Sequence, residues 1–441
     1  MREDSAALDS RDAWIAAIAA LAVLTVAHGA PLISAVALKS MAADFGTSRG
    51  IPAAAISLAY LGGALGGIPA GWLCGRLGTR VVVAGGGVMA AIGLAVSSLG
   101  GAASLYVGHG LLIGLLGISC MLAPLITYVS LWFDRRRGAA VALISAGQSV
   151  SGVLWPLIFD TAIRHYGWRT TMEIYALLTP VVITGLAIAF LREPPDTAVP
   201  GVASRFTAGS SVRDVGFPRS FGMAGLMLAI FCCCVPMNMP IQHLVAFCGD
   251  LGIGSQEGAL MLSVLLGSAF IARQLWGAVA DRLGGLKTLL WSSLAQLCAL
   301  SAFVVTQDEQ GLFAISSAFG FGFSGLLPAY VITVRDYYPA NEASWRVPTV
   351  LFAGYVGMAA GGWGAGALYD HFGFYAPAFA AGILFNFLNL IVLGALYFAT
   401  TWRAKQGAPE VSQQQLLFQA ASNDLSALTR SGSEIAAGSR G

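Results

Sequence analysis

The sequence predicts an all-α membrane protein with twelve transmembrane helices arranged as two six-helix, pseudo-symmetric halves. Three observations predict it: scarce charge, repeated apolar runs of bilayer-crossing length, and a motif that returns after half the chain. Of 441 residues, 56% are hydrophobic and 10% charged, with a mean hydropathy of +0.73. Soluble domains carry about 25% charged residues, so this chain cannot cover itself with a water-compatible surface. Its 55 glycines suit membrane helices, where small residues let backbones approach closely.

A helix crossing the hydrocarbon needs about 20 mostly apolar residues. Apolar windows place six spans near 13–38, 51–73, 81–100, 104–131, 139–162 and 171–191. Six more lie near 220–246, 256–280, 287–306, 311–334, 347–369 and 375–400. This divides the chain into a cytosolic arm (1–12), an N-terminal bundle (13–191), a polar linker (192–219), a C-terminal bundle (220–400) and a disordered cytosolic tail (401–441). The arm carries acidic as well as basic residues and does not read as a cleavable signal.

Charge orients the bundle. With the N-terminus inside, 19 Lys and Arg fall on the inner side, against Lys39, Arg49, Arg164 and Arg169 outside. By the positive-inside rule both termini are cytosolic, which predicts a multi-pass protein of the plasma membrane, or of the inner membrane in a bacterium. The net charge of +2 says nothing about partners, and no basic run points to a nucleic acid, so none is expected. The seven cysteines lie almost entirely in apolar segments without CxxC or histidine clusters, so no metal and no disulfide is expected. No nucleophile–base pair or nucleotide loop appears, so neither an enzyme nor a cofactor is expected. A non-transporting receptor or scaffold is disfavoured because no sizeable soluble domain is present.

The repeat lies after the second and eighth spans. Gly71-Trp-Leu-Cys-Gly75-Arg76-Leu77-Gly78-Thr-Arg80 aligns with Gly277-Ala-Val-Ala-Asp281-Arg282-Leu283-Gly284-Gly-Leu-Lys287 at an offset of 206 residues. Parallel halves around a central cavity are a common transporter architecture. These loops resemble the signature of the major facilitator superfamily, which implies transport by alternating access, a small-molecule substrate, no cofactor and a monomer. In that family the aspartate biases the inner gate. Asp281 matches it, whereas Gly75 stands at its N-terminal counterpart.

A second resemblance narrows the group. Trp132-Phe133-Asp134-Arg135-Arg136-Arg137-Gly138 is similar to the loop between helices four and five of monocarboxylate and oxalate–formate transporters. Asp44-Phe45-Gly46-Thr47-Ser48-Arg49 and Gly361-Gly362-Trp363 with Gly366–Asp370 also resemble that group. The resemblance implies a small organic anion, a monocarboxylate, possible proton symport, and gating roles for Gly71, Arg76, Gly78, Arg80, Arg135, Arg136, Asp281, Arg282 and Gly284.

An ionisable residue inside the membrane is a functional candidate by default, at a cost of about 2.5–3.5 kcal/mol for Arg. Arg273, in the eighth span, is the cation lying well inside one. It fits the position at which the resembled group pairs an arginine with the substrate carboxylate, and a planar guanidinium suits bidentate capture. The alternative is a structural arginine bonded to backbone carbonyls or to Asp281. The match is incomplete: Ala269 stands where animal monocarboxylate transporters have an aspartate, Lys39 lies at the outer end of helix one, and helix eleven offers Tyr355 and Trp363 but no second cation.

The remaining candidates are polar or aromatic. His28 sits beside Gly29 and Pro31, where a kink is expected. Pro236 and Pro240 predict a broken seventh helix, placing Asn238, Gln242 and His243 at a cavity. Gln148 and Trp155, seven residues apart, share a face of helix five. Tyr355 completes the substrate-binding set. A facilitator-type exporter of a drug or other metabolite is the alternative function. The Gly62–Gly66 and Gly63–Gly67–Gly71 stripes are expected to be packing surfaces.

Overall fold

The computed structural model describes residues 8–133, 136–192, 219–338 and 340–406. Helix α1 comprises Arg11–Ala27, Gly29–Val36 and Leu38–Asp44. Then follow α2 (Gly50–Leu77), α3 (Thr79–Ser98) and α4 (Ala102–Trp132). A continuous stretch, Arg137–Phe190, bends at Gly167 into α5 (137–166) and α6 (168–190). The second set is α7 (Arg219–Asp250), α8 (Ser255–Leu283), α9 (Gly285–Val305), α10 (Glu309–Tyr337), α11 (Ala340–Phe372) and α12 (Ala376–Gln406). No strand occurs among the described residues. Most of the linker and tail, and Arg135 of the basic loop, lie outside them; α12 runs six residues beyond the span expected for it.

Among the described residues ten helical stretches are long and apolar enough to cross a membrane. One of these contains both α5 and α6, and α11 completes the twelve. The outside of the bundle is apolar: Ile68 is 82% exposed and Leu99 and Val305 are each 78% exposed. Only lipid makes such a surface stable.

Each half has its own core. Val23, Leu24, Ile33, Leu94, Ile113, Leu125 and Phe159 belong to the N-terminal one, and Leu262, Leu265, Phe303, Phe319, Tyr330 and Phe379 to the C-terminal one. The repeat is visible in the backbone. Gly78 (φ 80°, ψ 150°) and Gly284 (φ 81°, ψ 166°) turn α2 into α3 and α8 into α9 without an intervening loop. That region of φ/ψ space is open essentially to glycine alone, which explains why Leu-Gly recurs there. Gly46 and Gly252, and Gly167 and Gly373, are also positive-φ pairs 206 residues apart.

Helix breaks fall elsewhere than expected. α1 does break at His28, but α7 is continuous through Pro236 and Pro240. Neighbouring helices can re-satisfy the backbone that a proline frees; here α11 lies flush against α7, with Gly357 on Phe231 and Gly361 on Val235, and Asn238 Nδ2 donates to Met358 O (2.8 Å). The unanticipated irregularity is in α4, where Val107–Leu115 is a π-helix. Its wide turns bring Gly110 and Gly114 against Gly62 and Ala59 of α2.

The C-terminal core contains a buried polar network. Ser293 Oγ donates to Asn386 Oδ1 (2.7 Å), Asn386 Nδ2 donates to Gln296 Oε1 (3.2 Å), and Tyr330 Oη donates to Asn389 Oδ1 (3.1 Å). All five residues are fully buried. Interhelical bonds of this kind contribute roughly 0.6–2 kcal/mol each in membranes. Asn386→Leu is therefore expected to destabilise the protein by about 2 kcal/mol, read as a lower Tm in detergent; an unchanged Tm would show that the network adds nothing to stability.

Candidate functional site

At the face opposite the termini the two halves are latched. Arg49, at the start of α2, is 8% exposed, and its Nη2 donates to Asp250 Oδ1 of α7 (2.7 Å) while Nη1 donates to Tyr375 Oη (3.1 Å). Its guanidinium also covers the Tyr369 ring, 3.8 Å from the centroid. Burial alone would lower the Arg49 pKa, but Asp250 and Tyr375 raise it above its ordinary value, so the charge is permanent. Asp370 of α11 accepts from the backbone N–H groups of Arg49 and Gly50 (both 2.7 Å), capping α2 across the interface. Lys39 adds a second cation on Asp250 at 3.0 Å.

His243 belongs to this latch. Its Nε2 lies 2.8 Å from Gly362 O and its Nδ1 3.0 Å from Tyr375 Oη. A carbonyl only accepts, so Nε2 carries the proton, Nδ1 accepts from the Tyr375 hydroxyl, and that hydroxyl accepts from Arg49. Both imidazole nitrogens are thus committed to protein partners.

Toward the termini-bearing face the seams splay. On α2, Gly50 and Ala53 pack directly on Gly366 of α11, yet at Gly67, Gly71 and Gly75, on the same face several turns later, a methyl group would find no described atom of another element within 4 Å. Gly62 and Gly66, on the other side of α2, pack tightly on α4 as expected for a small-residue stripe; Gly67 and Gly71 do not pack. The α5–α8 seam behaves alike. Leu266 fills the space over Gly152, whereas a methyl group at Gly277, three turns further along the same face of α8, would find no described atom of another element within 4 Å.

Arg273 sits where that seam opens. It lies seven residues beyond Leu266, hence on the same helix face, and is half-buried. Its Nε is shielded without a hydrogen-bond partner, and no described carboxylate or carbonyl pairs with the guanidinium. The structural alternatives, a bond to backbone carbonyls or to Asp281, are therefore not realised. Across the seam, Gln148 is exposed one turn from Gly152, on the termini side. On the other seam Tyr60 of α2 and Tyr355 of α11 both pack on the edge of the C-terminal core. A guanidinium and a carboxamide thus stand along one seam and two phenols along the other.

The remaining candidates divide. Trp155 Nε1 donates to Thr25 O (2.8 Å) and its ring lies on Phe159 and Tyr175, so it braces α5 against α1 and α6. His28 Nδ1 donates to Leu24 O (2.9 Å), leaving Nε2 without a partner. Gln242 is buried with neither amide atom bonded, lying against the bare α-carbon of Gly362, and Asn238 Oδ1 is likewise unpaired. His109 in the π-helix is bonded to Ser34 (2.7 Å) and Ser97 (3.0 Å) inside the N-terminal half. Among the described residues no cluster of His, Cys, Asp and Glu is placed to hold a metal.

The family model of the Major Facilitator Superfamily matches residues 13–344 and, as a second match, 226–432. The chain belongs to the Major Facilitator Superfamily. It is therefore a membrane transporter of small molecules, in a family that is not enzymatic. Monocarboxylate transporter 13 of Bos taurus is 28% identical over 309 residues, 69% of this chain and 70% of that one. MFS-type transporter 1 of Ophiocordyceps sp. (strain BCC 1869) is 23% identical over 62% of this chain and 60% of its own length. A bacterial homologue of the human lysosomal transporter Spinster superposes with a TM-score of 0.68 at 16% identity, covering 87% of this chain and 96% of that structure; at that identity it speaks for the fold alone.

In this facilitator the repeat loops are unlatched. Asp281 and Arg282 are exposed and make no ion pair with a described residue. Arg76 lies over Trp72 of its own helix at 4.0 Å, and Arg80 Nε donates to Leu191 O (3.0 Å) at the end of α6. Arg136 donates its backbone N–H to Asp9 (3.1 Å), tying the α4–α5 loop to the N-terminal arm. Sequence reasoning overlooked Arg49, Asp250, Asp370, Tyr375 and Tyr60. One signal was available: Asp44-Phe-Gly46 and Asp250-Leu-Gly252 are a further repeat at the 206-residue offset.

Proposed function

We propose that this transporter carries a small organic anion, a monocarboxylate, by alternating access, with Arg273 as the anion anchor. The observation that carries the reading is a guanidinium whose Nε is shielded and without a hydrogen-bond partner among the described residues, at the point where the halves part. A permanent cation in a low-dielectric site awaits an anion. The position related to Arg273 by the repeat, 206 residues earlier, is Gly67. The halves therefore do not offer a matched pair of cations, which suits one carboxylate better than two. The similarity to monocarboxylate transporter 13 of Bos taurus and to monocarboxylate transporter 6 of Homo sapiens (26% identical) supports the same substrate class.

In this reading the termini-bearing face is cytosolic, the protein is a monomer in the plasma membrane, and the conformation is inward-facing. Beyond the count of basic residues, every cation on the opposite face lies beside a carboxylate: Lys39 and Arg49 on Asp250, Arg164 on Asp160 and Arg169 on Asp44. Tyr355, Gln148 and Tyr60 frame the anion, and the Gln242 amide and Asn238 Oδ1, without partners among the described residues, meet it when the opposite face opens. Any coupled proton enters on His28 Nε2. Arg76, Arg80, Arg135, Arg136, Asp281 and Arg282 close the cytosolic side.

Uptake into liposomes by the purified protein tests this, using labelled lactate, pyruvate, formate, oxalate and a neutral analogue, with and without an inward proton gradient. Saturable uptake of a monocarboxylate but not of the neutral analogue is expected, faster with the gradient. Folded protein that moves none of the acids overturns the reading. Export of another small molecule is the second reading, favoured by the similarity to the Agnestins efflux protein AgnL12 of Paecilomyces divaricatus (26% identical); transport of the neutral analogue alone would select it.

A further inference from the structure

On the outer wall of the C-terminal half, away from the seams, α8, α9 and α10 enclose a groove of about 490 Å³ lined by Trp276, Leu283, Trp291, Leu294, Cys298 and Phe321. Its floor is fixed, because Trp276 Nε1 donates to Phe321 O (2.8 Å), while Trp291 is 58% exposed at its edge. The groove has a polar end. Lys287, Trp291, Leu294 and Cys298 recur at four, seven and eleven residues along α9, so they form one stripe with the ammonium at the termini side. Gly284, at φ 81°, starts α9 directly after α8 and sets Lys287 at the membrane boundary.

We propose that this groove is a binding site for one anionic phospholipid of the termini-side leaflet, its chain along α9 and its phosphate on Lys287. Length favours that occupant: from Lys287 to Cys298 is about 16 Å of helix, close to the depth of one leaflet of a bilayer with about 30 Å of hydrocarbon. Charge favours it as well. Lys287 and the adjacent Arg282 are both exposed and have no ion-pair partner among the described residues. The nearest acid on α8, Asp281, projects from the side of the helix away from Trp276, Val279 and Leu283. Asp336 Oδ2 takes the Gly285 N–H at the first turn of α9 (3.5 Å), so the two side-chain cations, not the helix end, supply the attraction. The lipid would brace the helix that carries Arg273 and the loop that carries Asp281.

Native mass spectrometry of the full-length protein, released from bilayers with equal phosphatidylglycerol and phosphatidylcholine, tests the site without any transport assay. Wild type is expected to retain phosphatidylglycerol several-fold over phosphatidylcholine. Lys287→Gln should bring the ratio to near unity and Arg282→Gln should reduce it in part. Ala295→Phe, which fills the groove, should remove the retained lipid of either kind while leaving Tm unchanged. Equal retention of the two lipids by wild type, or an undiminished preference in Lys287→Gln, overturns the proposal.

Discussion

Arg273→Ala is expected to lower saturable anion uptake at least about 100-fold while leaving the protein folded with an unaltered Tm. The magnitude follows from losing one charge-assisted bidentate pair, about 3 kcal/mol, at 1.4 kcal/mol per factor of ten. The unaltered Tm follows from the structure, since no described group bonds to the guanidinium and none is orphaned when it goes. Arg273→Lys keeps the charge but loses the planar fork, so it should raise KM roughly tenfold with a smaller effect on maximal rate. A structural arginine would behave in the reverse way: Tm would fall for both variants, and KM in the surviving protein would hold.

Arg49→Ala is expected to release the opposite face. The substitution removes two bonds to Asp250, one to Tyr375 and a cation–π contact, and leaves Asp250 half-buried with Lys39 alone. Hydrogen bonds to charged groups are worth about 1.5–3 kcal/mol net. A shift of about 2 kcal/mol against the latched state is therefore reasonable, about 30-fold in the equilibrium between the two faces. Spin labels at the exposed positions Thr47 and His371, one in each half, would read it as a new, longer distance population. Asp250→Asn should act in the same direction and less strongly, because a carboxamide still accepts from Arg49. If both variants keep the single short distance of wild type, the ion pair is incidental and packing of Gly50 on Gly366 holds the face shut.

The two outcomes are physically distinct. Arg273 acts on substrate affinity and Arg49 on the population of a state. A transporter needs differential stabilisation of its two faces to cycle, and the asymmetry seen here supplies it: a charged latch at one face and bare glycines at the other. Outward opening would expose the Gln242 amide and Asn238 Oδ1, unbonded among the described residues, to water, offsetting part of the energy lost when the latch breaks.

Much of the architecture was legible in one dimension. Span length, the Arg-Leu-Gly repeat and the Lys/Arg asymmetry each report a constraint that acts locally, through hydrocarbon thickness, a glycine-only turn and insertion. Arg273 was legible for the same reason, as a cation in apolar sequence is anomalous whatever surrounds it. The latch was not, because Arg49 meets Asp250 and Asp370 across 201 and 321 residues, and each alone reads as an ordinary charge flanking a span. Likewise the prolines of α7 read as breakers until Gly357 and Gly361 of α11 are seen against that helix, and His243 reads as a cavity histidine until Tyr375 and Gly362 occupy both its nitrogens.

By itself, then, the sequence determined the solvent, the number of crossings, the twofold repeat and the cost of placing one guanidinium among apolar residues, since all of these depend on composition and spacing along a single helix. Tertiary structure alone decided which stripe of glycines packs and which lines a gap, which polar groups are satisfied, and which face of the bundle is shut. Those depend on the relative placement of two six-helix bodies, and a pairing between helices far apart in the chain leaves no periodicity in either one.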